Sequence, residues 1–394
     1  MTLPDRDWKR NKSYSQWVRD ALARARGSGA AVSTLFDSSV PEPRDLLRDL
    51  IVDAVEPGFS DHFKSAFGDG NPDVLRMLGE SYGIAADRVL STSGATSGLS
   101  LVYRAVARPD DEILFEAPGF DLFADLAISQ GLRATPFARR GERFAPDLEE
   151  IEGLIGPKTR LIVISNLHNP SGMEIPHATM LELATLAERK QIHVVVDEVY
   201  GDYADPSVRP MAAVNISPWF ISVSSLTKIY GLAILRCGWI AGSAEVVGAC
   251  RALNARVEFS VSTLTHALGA HVLAKRSRFD AYSAAVIAET RPVFDHWVDD
   301  LREEGLIAGE LPDYGCICFP RLPAIADTEA FSEWLCGRSG VLVAPGECFG
   351  APGHIRIGFA QPMATLQRSL DALADGIREY SRSMPSGAIL RATR

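Results

Sequence analysis

Apolar positions in the middle of the chain come in two alternating textures. Short continuous apolar runs lie at Arg88–Ser91, Glu112–Glu116, Arg160–Ser165, His193–Val196 and Phe220–Val223. Between them, apolar residues return every three or four positions. After Gly94, Leu99, Val102, Tyr103 and Val106 share one helical face. Over Ala178–Lys190, Leu181, Ala184 and Leu186 are expected to point inward. Continuous apolar strands are buried on both faces, and strands alternating with helices build a parallel sheet. The pattern therefore predicts an α/β fold, a mostly parallel sheet covered by helices.

The ends of the chain read differently. Residues 1–55 begin polar and become amphipathic, with Leu46, Leu47, Leu50, Ile51 and Val55 at a helical period. The cluster Gly68–Pro72 predicts a turn. Beyond 290 a helical pattern leads to Gly315–Phe319, then a helix over 327–338, a strand in GVLVAP and another in HIRIGFA. This is α+β texture. The expected division is a large domain over 56–289 and a smaller one formed by residues 1–55 together with 290–394.

Composition narrows the partners. The 394 residues carry a formal net charge of -10, with 46% hydrophobic and 23% charged residues. A large core is available, while nucleic acid and anionic membranes both require a basic surface. The six cysteines form no CxxC pair. They read as reduced thiols of a cytoplasmic protein, and no metal site is expected. The N-terminal stretch has no apolar core of a signal peptide, and no apolar run approaches the ~18 residues of a membrane span.

The chemistry lies where the expected parallel strands end, which is where open α/β sheets bind ligands. Gly94, Ala95 and Thr96 open a helix and let backbone N–H groups approach an anion; a plain helix cap is the alternative. Ser225 and Arg236 add a hydroxyl and a fork of donors for the same phosphate. Asp197 ends an apolar strand, where a lone carboxylate is costly and needs a cation. A protonated pyridine nitrogen would serve, and so would a structural arginine. Tyr200 and Asn169 are donors for a phenolate oxygen. Lys228 follows a buried strand within apolar surroundings. No dinucleotide-binding or P-loop glycine pattern occurs.

Taken in order and spacing, Gly94-Ala95-Thr96, Asn169-Pro170-Ser171-Gly172, Asp197-Glu198-Val199-Tyr200, Ser225-Leu226-Thr227-Lys228, Arg236 and Arg356 resemble the fold type I enzymes of pyridoxal 5'-phosphate, and within them the class I/II aminotransferase family. The likeness runs from about 65 to 390. It implies that Lys228 holds the cofactor as an internal aldimine and moves the proton. It implies that Asp197 pairs with the pyridine nitrogen, and that Asn169 and Tyr200 bind the ring hydroxyl. Phe120 would stack on the ring, and Gly94, Ala95, Thr96, Ser225 and Arg236 would hold the phosphate. Arg356, with Asn169 beside it, would bind the substrate carboxylate. The implied partners are an α-amino acid, a keto acid and a second copy of the chain in a homodimer.

The chain departs from the family at Phe63–Gly68, which carries no tyrosine for a neighbouring subunit's phosphate, and at Leu35–Ser39, which lacks the usual glycine–x–proline. With the late GVLVAPG and RIGF runs, these features are similar to a subgroup that includes capreomycidine synthase. Two activities are therefore expected. The first is ping-pong transamination of an α-amino acid. The alternative is elimination or cyclisation in specialised amino-acid metabolism. Ser38 and Ser39 are candidates for lining the substrate pocket, and Arg251 and Arg256 for a distal carboxylate.

Overall fold

The structure, a computed structural model, describes residues 13–27, 32–67, 69–203 and 209–383. Gly68, the first residue of the expected turn, lies outside them. The central sheet has eight strands in the order Val89–Thr92, Gly238–Ala241, Phe220–Ser225, His193–Asp197, Thr159–Ser165, Glu112–Ala117, Arg133–Arg140 and Ala145–Pro146. The run from Phe220–Ser225 to Arg133–Arg140 is parallel throughout. Gly238–Ala241 runs antiparallel to both of its neighbours.

The apolar runs are continuous because each strand feeds two cores. In Thr159–Ser165, Leu161 and Val163 join one core while Ile162 and Ile164 join the other. Val195 and Val194 divide in the same way. This is the two-residue alternation of a strand covered on both sides. Helix Ala95–Val106 packs on the first face through Leu99 and Val102. Helix His177–Lys190 packs on the second through Met180, Leu183, Ala184 and Ala187. That phase corrects one expectation: Leu181 falls beside the buried stripe and is 47% exposed. Ile51 is likewise 40% exposed, because helix Arg44–Val55 buries Leu47, Leu50 and Ala54 instead.

Three strands of the central sheet escaped the sequence pattern, among them the two-residue Ala145–Pro146. Arg133–Arg140 is broken by a proline and charges, and Gly238–Ala241 is only four residues long. The GVLVAP stretch also differs from expectation. Val341–Leu342 pairs in parallel with Ser33–Thr34, while Ala344–Pro345 pairs with Ile355–Gly358 in a separate three-stranded sheet. Val343 between them gives its carbonyl to Ser332 Oγ.

Around these small sheets, Leu35, Phe294, Trp297, Phe331, Ile355, Ile357 and Leu370 form one core. The N-terminal segment and the C-terminal third are thus packed together. The 28-residue helix Arg276–Glu303 places Phe279 in a core of the large sheet's side and Phe294 in this one. The expected division at 289/290 falls inside it. Helix Tyr14–Gly27, which the sequence pattern did not reveal, lays Trp17 and Ala21 against Phe36, Phe319 and Phe349. Among the described residues, no helix is long and apolar enough to cross a membrane.

Candidate active site

Sheet register brings the site together. Ser165 pairs with Asp197, and Asp197 pairs with Val223. Three neighbouring parallel strands therefore end at one level, and the loops beyond them carry Asn169, Tyr200 and Lys228. The antiparallel strand adds Gly238 between Thr92 and Ser225. A methyl at Gly238 would stand 2.5 Å from the Gly94 carbonyl carbon. Glycine there lets the turn that opens helix Ala95–Val106 pack directly on the sheet.

That turn is an anion cradle. Gly94 has φ 90° and makes no side-chain cap, so among the described residues no capping side chain claims the first N–H groups of the helix. Arg236 sits over it: a methyl on Gly94 would stand 2.6 Å from Arg236 Nη2. Arg236 Nη2 also donates to the Ser93 carbonyl at 3.2 Å.

The loop bearing Lys228 is fixed from several sides. Leu226 N–H donates to the Cys237 carbonyl at 3.0 Å, and Ser283 Oγ to the Ile229 carbonyl at 2.7 Å. Tyr203 Oη donates to the Lys228 carbonyl at 2.7 Å. Lys228 Nζ donates to Ser38 Oγ at 3.0 Å. Burial, and then the nearby Arg356 charge, bring the Lys228 amine down to about 8. A lysine so placed is a usable nucleophile and base near neutral pH.

Asp197 is 7% exposed and receives the Val199 N–H at 3.2 Å. Among the described residues no cation lies within ion-pair distance of its carboxyl. Burial pushes it up to about 6, against the opposing pull of that N–H and of Lys228. Tyr200 is 2% exposed, and its buried hydroxyl makes no hydrogen bond of good geometry among the described residues, although Ser38 is a polar neighbour.

Arg356 is 1% exposed. Its Nη1 donates to Asn169 Oδ1 at 2.9 Å, and its Nη2 donates to the Phe36 carbonyl at 3.0 Å and to Tyr14 Oη at 2.5 Å. The guanidinium lies over the rings of Tyr14 and Phe349, 4.6 and 4.9 Å from their centroids. Asn169 is itself held by its N–H to Ser165 Oγ at 2.9 Å. Ser165 in turn rests on Glu116, which forms a wholly buried ion pair with Arg139 at 2.5 Å.

Ala95, Thr96, Phe120, Asn169, Asp197, Tyr200, Ser225, Lys228, Arg236 and Arg356 all line one cavity of about 180 Å³, with Gly94 directly beneath Arg236. Ser38 lines it as well; Ser39 does not. Arg251 and Arg256 stand apart from it. Arg251 is held by Asp69 at 2.7 Å, and Arg256 is exposed. Tyr14 also lines the cavity, and sequence reasoning missed it. Its one signal was the spacing of Tyr14 and Trp17, one helical turn apart in a largely polar stretch. A second cavity, about 230 Å³, borders Glu198, Asp202 and Arg276, and there Asp202 is already paired with Arg209 and Arg276.

The cavity fits a phosphorylated, cationic aromatic aldehyde. It offers an anion cradle, a buried carboxyl without a cation, a buried hydroxyl without a good partner and an amine with lowered basicity.

Comparison with known proteins agrees. The family profile described as "Aminotransferase class I and II" matches residues 67–373. Capreomycidine synthase of Streptomyces vinaceus is 29% identical over 303 residues, 76% of this chain and 77% of that protein. The arginine–pyruvate transaminase of Pseudomonas aeruginosa is 28% identical over 71% of this chain and 73% of its own. A pyridoxal-phosphate-dependent aminotransferase structure from Streptococcus suis superposes with TM-score 0.82 at 24% identity, covering 96% of this chain and 99% of that one. The profile spans well over half of the sequence, and the fold and cavity fit the same cofactor, so this chain belongs to the class I and II aminotransferase family, the pyridoxal-phosphate-dependent enzymes of fold type I.

Proposed function

We propose that the protein transfers the amino group of an α-amino acid to a keto acid in two half-reactions, with Lys228 as the covalent anchor and proton carrier. One observation carries this reading. The Lys228 amine, the Asp197 carboxyl and the Arg356 guanidinium converge on a single buried cavity, each without the partner that its charge calls for. The cofactor, when bound, supplies an electron sink for charge developing at the substrate α-carbon.

The chain's own residues do the rest. Gly94, Ala95, Thr96, Ser225 and Arg236 hold the phosphate. Asp197 keeps the ring nitrogen protonated through a charge-assisted hydrogen bond. Tyr200 donates to the ring hydroxyl. Asn169 does so through its Nδ2, because Arg356 occupies its Oδ1. Phe120 covers the ring face. Arg356 fixes the substrate carboxylate, which sets the orientation of the bond to be broken. Lys228 would take the α-proton as a neutral amine and, once protonated, would serve as the acid that gives it back. The reading includes a homodimer in the cytoplasm, a large domain over 56–289, and a small domain made of residues 1–55 and 290–394.

Elimination or cyclisation is the second reading, favoured by the likeness to capreomycidine synthase. The two differ in stoichiometry. With a single amino acid and no keto acid, transamination releases one equivalent of keto acid per site, stops, and resumes when an acceptor is added. Elimination or cyclisation turns over repeatedly without an acceptor, on an amino acid that carries a leaving group such as a hydroxyl at its β-carbon. Arginine heads the panel, since one relative is named for it, and a β-hydroxylated arginine belongs in the panel as well. Continuous acceptor-free turnover would replace the first reading by the second.

A further inference from the structure

Among the described residues, three groups accept hydrogen bonds from the Arg356 guanidinium, and none is a carboxylate. Its Nε–H is buried with no hydrogen-bond partner among the described residues. A buried cation with neutral acceptors alone is an expensive arrangement unless a ligand brings the counter-charge. One of the three acceptors is unusual. Asn169 and the Phe36 carbonyl belong to the strand-end loop and the N-terminal segment, but Tyr14 comes from a helix that packs against the small sheets from outside.

Tyr14 is anchored rather than loosely placed. Its backbone N–H donates to Asp121 Oδ2 at 2.5 Å. Its ring is stacked with Trp17 and meets Phe120 edge-on and Phe349 at a tilt. Its hydroxyl oxygen accepts from Arg356, so the O–H hydrogen remains to be given away. Among the described residues its acceptor is the Phe36 carbonyl, at 3.4 Å and already shared with Arg356. A carboxylate lying against Arg356 would be a stronger and less contested acceptor. Tyr14 lines the same cavity as Arg356, Asn169 and Lys228.

We propose that Tyr14 is a substrate-contact residue: its hydroxyl accepts a hydrogen bond from Arg356 and donates one to the α-carboxylate of the bound amino acid. The carboxylate is then recognised by an arginine and a tyrosine acting together, and the N-terminal helix is part of the substrate site. The inference rests on the reading that Arg356 binds the carboxylate.

The test compares holoenzyme variants on an amino acid and on the corresponding amine without the carboxylate. Tyr14→Phe keeps the ring, the stacking and the backbone anchor. It should raise KM for the amino acid about ten-fold or more, the loss of a hydrogen bond to a charged group. KM and kcat for the amine, and affinity for the cofactor, should stay unchanged. In a double-mutant cycle with Arg356→Lys, the two losses should be less than additive. An unchanged KM for the amino acid in Tyr14→Phe, or equal losses for amino acid and amine, would overturn the proposal and leave Tyr14 a packing residue. If Arg356→Lys itself fails to discriminate amino acid from amine, the reading of Arg356 is at fault, and the role of Tyr14 falls with it.

Discussion

Ser38 Oγ lies 3.0 Å from Lys228 Nζ, although 190 positions separate the two residues in sequence. The N-terminal segment is clasped to the lysine loop around this contact. Val40 N–H points at both the Tyr203 hydroxyl and the Lys228 carbonyl, at 3.1 and 3.4 Å. Tyr282 Oη donates to the Pro41 carbonyl at 3.0 Å. A methyl on Gly231, which has φ +65°, would meet that same carbonyl at 2.5 Å. The segment before helix Arg44–Val55 is thus a wall of the active site and holds the lysine in place.

The lowered basicity of Lys228 has a direct consequence for cofactor capture. Only the neutral amine attacks an aldehyde. An ordinary lysine would reach half-neutrality at 10.5, whereas Lys228 reaches it at about 8. The rate of pyridoxal phosphate incorporation into cofactor-free enzyme should therefore rise with pH and level off above about 8. Ser38→Ala removes an acceptor that favours the charged amine, so its midpoint should move to lower pH. Stopped-flow absorbance across pH 6.5–10 gives both curves.

Asp197 should make the cofactor-free protein pH-sensitive in an unusual sense. Its folded-state value of about 6 stands above the ordinary 3.8. The folded chain then holds a proton that the unfolded chain has lost, so stability falls as pH rises from about 4 to about 6 and stays low above it. At about 1.4 kcal/mol per pH unit this penalty is about 3 kcal/mol. Asp197→Asn should remove it and stabilise the cofactor-free protein in urea at pH 7.5. In the loaded enzyme the same substitution should instead slow turnover by orders of magnitude, because the ring nitrogen loses its counter-charge.

Gly94 should tolerate no side chain. Its φ of 90° alone costs an alanine about 1–3 kcal/mol, and the added methyl would push against the Arg236 guanidinium. Gly94→Ala is expected to weaken pyridoxal phosphate binding at least ten-fold while amide circular dichroism is retained. Fluorescence titration with the cofactor measures the loss.

The buried pair of Glu116 and Arg139 supports Asn169 through Ser165. Arg139→Met leaves Glu116 an unpaired carboxyl and should cost about 3–5 kcal/mol in urea unfolding. Glu116→Gln together with Arg139→Met should cost clearly less, because no charge is then left alone. If the double variant is the less stable, the pair contributes more than its desolvation, and the rest of that network must be rebuilt.

The site was legible because its chemistry lies at strand ends that are close in sequence to strong apolar runs. Asp197 follows Val194–Val196, Lys228 follows Phe220–Val223, and Asn169 follows Leu161–Ile164. Register then placed them side by side. Tyr14 was illegible for the opposite reason. Its helix interleaves apolar residues with Arg19, Asp20, Arg24 and Arg26, and its importance comes from contacts with Arg356 and Phe349, more than three hundred positions away. Gly238–Ala241 was missed because its role depends on close approach to Gly94, which a four-residue stretch does not announce. Leu181 misled because a helix's buried stripe is set by what it packs on, here Met180 and Leu183 against the sheet.

The most direct test of the account is the position of the covalent bond to the cofactor. Borohydride reduction of the holoenzyme, followed by peptide mapping and mass spectrometry, should place a single pyridoxyl group on Lys228. A pyridoxyl group on Lys158 or Lys190, or none on any lysine, would contradict the central claim.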